Sequence, residues 1–181
     1  MKKLFLMMAF AVITLSAAAQ KSGFDVKAGF GLSSFMGNDA DNADPKFNWK
    51  LGAGYEIRIN KLIGIEPSLM LNCKGAEWTY LEDNHTKISN TCNTLYLEMP
   101  AMCNFHLNKN WVLGAGIYCA FLVDDDDTDF DNFDTGFRFG AKYQFDSGFF
   151  LGLDLSAGGV DLDKHFEAQN ITFGTVVGFA F

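Results

Sequence analysis

Large apolar side chains alternate with small or polar ones over much of the chain. The pattern is clearest in residues 169–181, where Phe173 and Phe179 share one face and Gly174 and Gly178 share the other. Successive side chains of a β-strand point to opposite faces, so a period of two predicts strands. Eight strands are predicted, at 24–34, 47–60, 61–77, 92–106, 110–123, 134–145, 148–159 and 169–181.

Short and long breaks alternate between these strands. The short breaks, near residues 60–61, 107–110 and 146–148, are rich in Asn, Asp and Gly, as tight turns are. The long breaks fall at 36–46, 79–91, 124–133 and 160–168. Short periplasmic turns and longer outer loops are typical of outer-membrane barrels. We therefore predict an all-β fold: an eight-stranded, antiparallel, up-and-down transmembrane β-barrel with both termini on the periplasmic side.

The direction of the alternation distinguishes a membrane barrel from a soluble, lipocalin-like one. Bulky apolar residues occupy mainly odd positions, and the interior of an eight-stranded barrel is only just wide enough to be filled by side chains. We therefore place the odd face against lipid and the opposite face in the lumen. A soluble barrel would instead bury the bulky face. The predicted lumen charges are Lys27, Lys50, Glu56, Arg58, Glu66, Lys74, Glu98, Arg138, Lys142 and Asp154.

The N-terminus reads as an export signal. Lys2 and Lys3 precede the apolar run 4–15, and the small residues 16–19 provide a cleavage pattern. We predict a cleaved signal peptide at 1–19, a barrel domain at 20–181 and a location in the outer membrane of a Gram-negative bacterium. Cleavage leaves 12 basic and 22 acidic residues, a net charge of about −10, which argues against nucleic acid as a partner.

Composition agrees with a barrel. The chain has 19 Phe and 18 Gly but 3 Pro, which suits strands that pack closely and bend. Aromatic residues are expected in two bands at the membrane interfaces. We place Phe105, Trp111, Phe145, Phe149, Phe179 and Phe181 at the short-turn end and Phe35, Phe47 and Trp49 at the long-loop end.

Four segments carry a resemblance to a known family: Gly23–Gly29, Glu66–Met70 with Lys74–Ala76, Tyr96–Pro100 and Gly114–Tyr118. They resemble the PorT-like outer-membrane β-barrel family over essentially the whole mature chain. The resemblance implies a small, porin-like outer-membrane barrel, and one branch of that family is tied to protein secretion at the cell surface. It implies no catalytic residues.

Three functions are compatible with this interpretation. In the leading hypothesis the lumen charges pair into a plug, and the protein has a structural or surface-interaction role. Its expected partners are outer-membrane lipid and a surface or secretion protein. Alternatively the charges line a narrow porin-like channel for small solutes. Thirdly, His165 and Ser89 could meet across loops in a lipid-modifying enzyme, although no spacing requires it. We predict that the protein is not an enzyme and needs no cofactor.

An acidic run at 124–131 is the strongest local motif. Asp125, Asp127, Asp129 and Asp131 are spaced so that their oxygens could converge on Ca²⁺, and Asp134 follows. The glycine and closing glutamate of an EF-hand loop are absent, so a solvated outer loop is the preferred interpretation.

The cysteines and the C-terminus complete the predictions. Cys73, Cys103 and Cys119 fall on the lipid face and Cys92 at a loop edge, so we predict no structural disulfide. Phe179 and Phe181 end the last strand on the lipid face, which resembles the terminal signal recognised by barrel-assembly machinery.

Overall fold

The computed structural model describes residues 22–37, 43–82, 86–125, 132–161 and 168–181. These residues form eleven strands. In chain order they are β1 (Gly23–Gly37), β2 (Ala43–Asp44), β3 (Lys46–Arg58), β4 (Ile63–Lys74), β5 (Glu77–Glu82), β6 (Thr86–Thr91), β7 (Thr94–His106), β8 (Trp111–Asp125), β9 (Phe133–Gln144), β10 (Phe149–Gly158) and β11 (Ala168–Ala180).

Eight of these strands close into a barrel. Their order is β1-β11-β10-β9-β8-β7-β4-β3, with β3 paired back to β1, and every pairing is antiparallel. The predicted eight-stranded up-and-down barrel is therefore confirmed. Closure pairs the backbone groups of every strand with a neighbour, as a structure in hydrocarbon must. Across the described ranges, no helix is long and apolar enough to cross a bilayer.

The barrel wall is apolar outside and polar inside. Phe137 and Phe139 are more than half exposed, whereas Arg138 between them is 3 % exposed and lies in the lumen. Phe173 on β11 is likewise exposed, and its neighbour Thr172 is buried. This is the orientation that a lipid environment requires, and it is the reverse of a soluble barrel.

Strand β1 departs from the predicted phase. Its exposed residues are even-numbered, including Phe24, Phe30 and Leu32, so the assignment of odd residues to lipid is wrong here. The register shows why: Asp25 pairs with Gly54 on one side and Ala180 on the other, which aligns odd positions of β1 with even positions of both neighbours. Lys27 points inward because of this inverted phase.

A second, small sheet lies outside the barrel order. Strands β2, β5 and β6 form a three-stranded antiparallel sheet. Strand β2 belongs to the connection between β1 and β3, and β5 and β6 belong to the connection between β4 and β7. The prediction of a long loop over 79–91 is therefore wrong in most of its length, and the predicted strand 61–77 is two strands, β4 and the start of β5. Gly75, with a φ of 136°, lies in the break between them, a conformation that favours glycine.

Two of the short turns are fixed by asparagine side chains. Asn60 Oδ1 accepts hydrogen bonds from the backbone N–H groups of Leu62 and Ile63, each at 2.8 Å. Asn108 Oδ1 does the same for Asn110 and Trp111, at 2.9 and 2.8 Å. These asparagine-centred turns explain why the sequence signal for short connections was reliable. We call this rim of the barrel the short-turn end and the opposite rim the long-loop end.

Aromatic rings form a belt around the short-turn end. Neighbouring rings lie 4.9 to 6.1 Å apart in the pairs Trp111–Tyr143, Tyr143–Phe145, Phe145–Phe149, Phe179–Phe181 and Phe24–Phe181. At the long-loop end, Phe47 and Trp49 are exposed as predicted. Phe35 is not part of that band: it is 5 % exposed and packs inward against Ala76, because it belongs to the inverted strand β1.

Candidate functional site

The centre of the lumen is occupied by a carboxylate shared between two cations. Glu98 projects inward from β7, with Lys74 Nζ 2.6 Å from its Oε1 and Arg138 Nη2 2.7 Å from its Oε2. Lys74 and Glu98 are fully buried. Charges withdrawn from water this completely are stable only when paired and hydrogen-bonded, so the three side chains depend on one another.

Aromatic rings and a second carboxylate surround Lys74. Its ammonium lies 3.1 Å from Asp134 Oδ2, 4.4 Å from the centre of the Tyr118 ring and 5.1 Å from that of Tyr96. The same Asp134 oxygen accepts hydrogen bonds from the Tyr118 hydroxyl at 3.1 Å and from Asn170 at 3.2 Å. Lys74 is thus held by two carboxylates and two ring faces.

The network reaches the far wall through Arg138. Arg138 Nε lies 3.7 Å from Asp154 Oδ2 on β10, and Lys50 on β3 forms an ion pair with Asp154. Together with Glu98 and Lys74, these side chains join β3, β4, β7, β9 and β10 across the barrel. We call Lys50, Lys74, Glu98, Arg138 and Asp154 the central network.

A second cluster lies nearer the short-turn end, around Glu66. Lys27 forms an ion pair with this carboxylate, Lys142 Nζ lies 3.0 Å from Oε2, and Asn104 donates to the same oxygen at 2.7 Å. Lys27 also lies 3.1 Å from Asp25 Oδ1. Two cations therefore face two carboxylates, and all four side chains are largely buried.

The mouth at the short-turn end is an open funnel. Its cavity has a volume of about 1230 Å³. On its wall, His106 contacts Glu56 Oε1 at 2.5 Å, and Arg58 Nη1 lies 3.6 Å from that oxygen and 2.7 Å from the ring nitrogens of His106. Lys142 and Asp25 also line the funnel, so it leads to the Glu66 cluster.

Between the Glu66 cluster and the central network lies a small chamber of about 80 Å³. Its apolar walls come from Met70, Met102, Val112, Phe150 and Val176. The inward face was predicted to be small or polar, and these side chains correct that expectation: Met70, Val112 and Phe150 are large, apolar and almost completely buried in the lumen.

Both polar and apolar contacts link the strands near the long-loop end. Lys46 Nζ donates to the backbone carbonyl of Cys92 at 3.1 Å, and Ser33 donates to that of Gly75 at 2.8 Å. Beside these bonds, Phe35 packs with Ala76, Cys92 and Ala168. Among the described residues, these contacts narrow the lumen above the central network, whereas the short-turn end opens into the funnel.

All ten charges predicted for the lumen lie on the inner wall, distributed over the central network, the Glu66 cluster and the funnel. Two inward carboxylates were missed. Asp25 was hidden by the inverted phase of β1, and Asp134 was interpreted as the end of the acidic run although its even position matches Arg138 on β9. With both included, six basic and six acidic side chains line this part of the lumen, so the charges balance.

Other predicted site residues fall partly outside the described structure. Asp127, Asp129, Asp131 and His165 lie outside the described residues, and of Asp125 and Ser89 only the backbone is described. Within the described part of the chain, no group of three or more His, Cys, Asp or Glu side chains is arranged to hold a metal ion. No disulfide joins the four cysteines, and Cys73, Cys103 and Cys119 are partly exposed on the wall.

Comparison with known proteins agrees with this geometry. The model of a family described as outer membrane protein beta-barrel domain matches residues 4–179. The chain belongs to this family. Membership in the outer membrane protein beta-barrel domain family accords with the apolar outer wall and assigns the barrel to the outer membrane of Gram-negative bacteria.

Two solved structures share the fold. Neisserial surface protein A from Neisseria is 15% identical, with a TM-score of 0.60, covering 90% of this chain and 100% of that one. The outer membrane protein Ail of Yersinia pestis, in a phospholipid bilayer nanodisc, is 16% identical, with a TM-score of 0.52, covering 89% and 100%. No curated protein matches the sequence. At these identities, this chain and the two solved structures share the fold alone.

Proposed function

We propose that this protein is a closed outer-membrane barrel with a structural or surface-interaction role, and that its lumen does not conduct. The observation that carries the proposal is the central network. It runs from Lys50 on β3 through Asp154, Arg138 and Glu98 to Lys74 on β4, and so spans the interior. A permeating ion would have to separate pairs whose members are buried on all sides, which is strongly unfavourable.

The long-loop end supports a role at the surface. The sheet of β2, β5 and β6 extends this end beyond the barrel order and offers polypeptide for contact with a partner. The name of one similar structure, Neisserial surface protein A, refers to the surface. For this chain we propose only a role of the same class. We also propose that it is a PorT-like barrel and that its partner is a surface or secretion protein.

Conductance tests the plug. We expect the purified protein in a planar lipid bilayer to show no steady open current, whereas the double variant Glu98→Ala with Arg138→Ala should conduct because its central network is removed. Lys109→Ala is the matched control, since Lys109 lies on an exposed turn at the rim of the funnel, 3.9 Å from Asp146 and away from the central network. A steady open current from the unaltered protein would overturn the plug and favour the narrow porin-like channel.

We also propose that the protein is not an enzyme. His106, the described histidine, contacts Glu56 and Arg58 at the short-turn end, where it belongs to the funnel wall. Ser89 belongs to β6 at the opposite end of the barrel. Among the described residues, the arrangement that supports our proposal is the pairing of the lumen charges, in which Ser68 also takes part through Lys27 at 3.2 Å and Glu66 at 3.3 Å.

Export by the signal at 1–19 and recognition by barrel-assembly machinery form the last part of the proposal. Phe181 is 74 % exposed, its ring lies 5.1 Å from Phe179 and 6.1 Å from Phe24, and its N–H donates to Phe24 O at 2.9 Å. Phe181 thus sits at the seam where β1 and β11 close the barrel.

We expect deletion of Phe181 to lower the amount of folded protein in the outer membrane several-fold, because the terminal strand loses its aromatic end. The measurement is the fraction of heat-modifiable protein in isolated outer membranes. Phe137→Ala is the control, because Phe137 is also lipid-exposed but lies within β9. Equal insertion of the deletion variant and the control would contradict a terminal signal.

A further inference from the structure

We propose that the chamber and the funnel form a binding site for a short aliphatic carboxylate, with the tail in the chamber and the head group beside Lys142. This inference concerns the part of the lumen between the central network and the short-turn end. It goes beyond the proposed function, because a closed barrel can hold a ligand in a pocket that ends at its plug.

The chamber has the chemistry of a site for an apolar tail. Met70, Met102, Val112, Phe150 and Val176 form its walls, and flexible methionine side chains adapt to different chain shapes. Its volume of about 80 Å³ gives room for about five water molecules, or for a hydrocarbon tail of similar size. Lys27, Glu66, Arg138 and Asp154 also line the chamber, but their charges are paired with one another, so the apolar part of the lining gains by contact with hydrocarbon.

Lys142 favours a negatively charged head group. Among the described residues it alone lines both the chamber and the funnel. Its ammonium lies 3.0 Å from Glu66 Oε2 and 5.2 Å from the centre of the Phe150 ring, and its side chain remains 19 % exposed. An ammonium has three donors, so a carboxylate at the funnel side can bind without displacing Glu66.

The funnel favours an anion over a cation. Most of its charges are paired: Asp25 with Lys27 at 3.1 Å, Glu56 with His106 and Arg58, and Asp146 with Lys109 at 3.9 Å. Its basic residues outnumber its acidic ones, with Arg58, Lys61, Lys109 and Lys142 against Asp25, Glu56 and Asp146. A carboxylate that approaches from this side therefore meets cationic groups that attract it toward Lys142 at the inner end of the funnel.

The funnel is the entrance that this proposal requires, because Lys142 lines both the funnel and the chamber. Arg138 and Asp154 line the chamber on the side of the central network, whose buried ion pairs end it there. The ligand thus enters and leaves through the funnel, with its tail leading. A free fatty acid released from membrane lipid and a water-soluble short carboxylate share this chemistry, and chain length distinguishes them.

Methionine NMR provides a site-specific test. The probes are acetate, butyrate, hexanoate and decanoate, added to the full barrel in lipid nanodiscs with ¹³C-methyl methionine. We expect hexanoate to shift the Met70 and Met102 resonances, while Met99 on the lipid face reports only partition into the bilayer. Affinity should rise about fourfold per added methylene until the chamber is full. Binding that continues to rise to decanoate would identify a lipid-derived acid, and a maximum at hexanoate a soluble one.

Two variants separate the tail from the head group. Gly140 lines the chamber, and a Cβ there would meet only Leu153 O at 3.5 Å, so Gly140→Leu should fill the space and abolish the hexanoate shifts. Lys142→Met should weaken hexanoate at least tenfold and leave 1-hexanol unchanged. The proposal is overturned if hexanoate moves Met99 but neither Met70 nor Met102, or if acetate and hexanoate bind equally. Conductance of the unaltered barrel is measured separately, so failure of the plug and failure of this site are distinguishable.

Discussion

Replacing Glu98 with glutamine is expected to destabilise the barrel by about 3 to 5 kcal/mol. Glu98 is the carboxylate that Lys74 and Arg138 share, at 2.6 and 2.7 Å, and all three side chains are buried. Glutamine keeps the shape of the side chain but removes its charge. Two cations then remain in the lumen with less compensation, and the cost is that of an incompletely paired charge away from water.

Reversible unfolding in urea, with the barrel refolded into lipid vesicles, measures this cost. Lys109→Gln serves as control, because its pair with Asp146 is exposed, and it should change stability by less than about 0.5 kcal/mol. The double variant Glu98→Gln with Lys74→Met should recover part of the loss, since it removes one of the two cations. If Glu98→Gln behaves like Lys109→Gln, the central network does not stabilise the lumen.

Gly31→Ala is expected to prevent or severely weaken closure of the barrel. Gly31 lies opposite Gly174 at the seam between β1 and β11. A Cβ at Gly31 would lie 2.2 Å from the carbonyl oxygen of Phe173 and 2.4 Å from Gly174 Cα. Both obstacles are backbone atoms, so the two strands must move apart, at a cost of about 3 kcal/mol or more.

The measurement is the yield of heat-modifiable, folded barrel after refolding. Gly140→Ala is the matched control: it is also an inward glycine of a barrel strand, but its Cβ would make one ordinary contact, 3.5 Å from Leu153 O. It should fold as well as the unaltered chain or slightly better, because alanine restricts the unfolded state. Equal yields from Gly31→Ala and Gly140→Ala would show that the seam tolerates a side chain.

The alternation of side chains was sufficient to predict the barrel, because the two faces of each strand meet such different surroundings. The phase of β1 was readable from its own residues: Phe24, Val26, Phe30 and Leu32 are all even. Extending one parity rule to every strand was the error. Phase is set afresh for each strand by its pairing with its neighbours, and β1 is inverted relative to both β3 and β11.

The partners within the lumen could not be predicted in the same way. Alternation shows that Lys50 and Asp154 face inward, but not that they meet, because they lie 104 residues apart and contact each other across the interior. That contact depends on the register of every strand between them. The chamber was not predicted for a different reason. Met70, Met102, Val112 and Phe150 also occupy inward positions, but the prediction for the lumen included only charged residues.

The belt of aromatic rings at the short-turn end affects the depth at which the barrel lies in its bilayer. Trp111 and Tyr143 prefer the headgroup level, where the apolar part of the ring meets hydrocarbon and the polar group meets water, and the phenylalanine rings form the apolar part of the same girdle. Contacts from Trp111 through Tyr143 to Phe149, and from Phe179 through Phe181 to Phe24, hold them at one height on neighbouring strands. The aromatic belt therefore anchors the barrel in the membrane interface at this rim. In a thicker or thinner bilayer, the mismatch falls on the opposite rim, where lipid rather than protein must adjust.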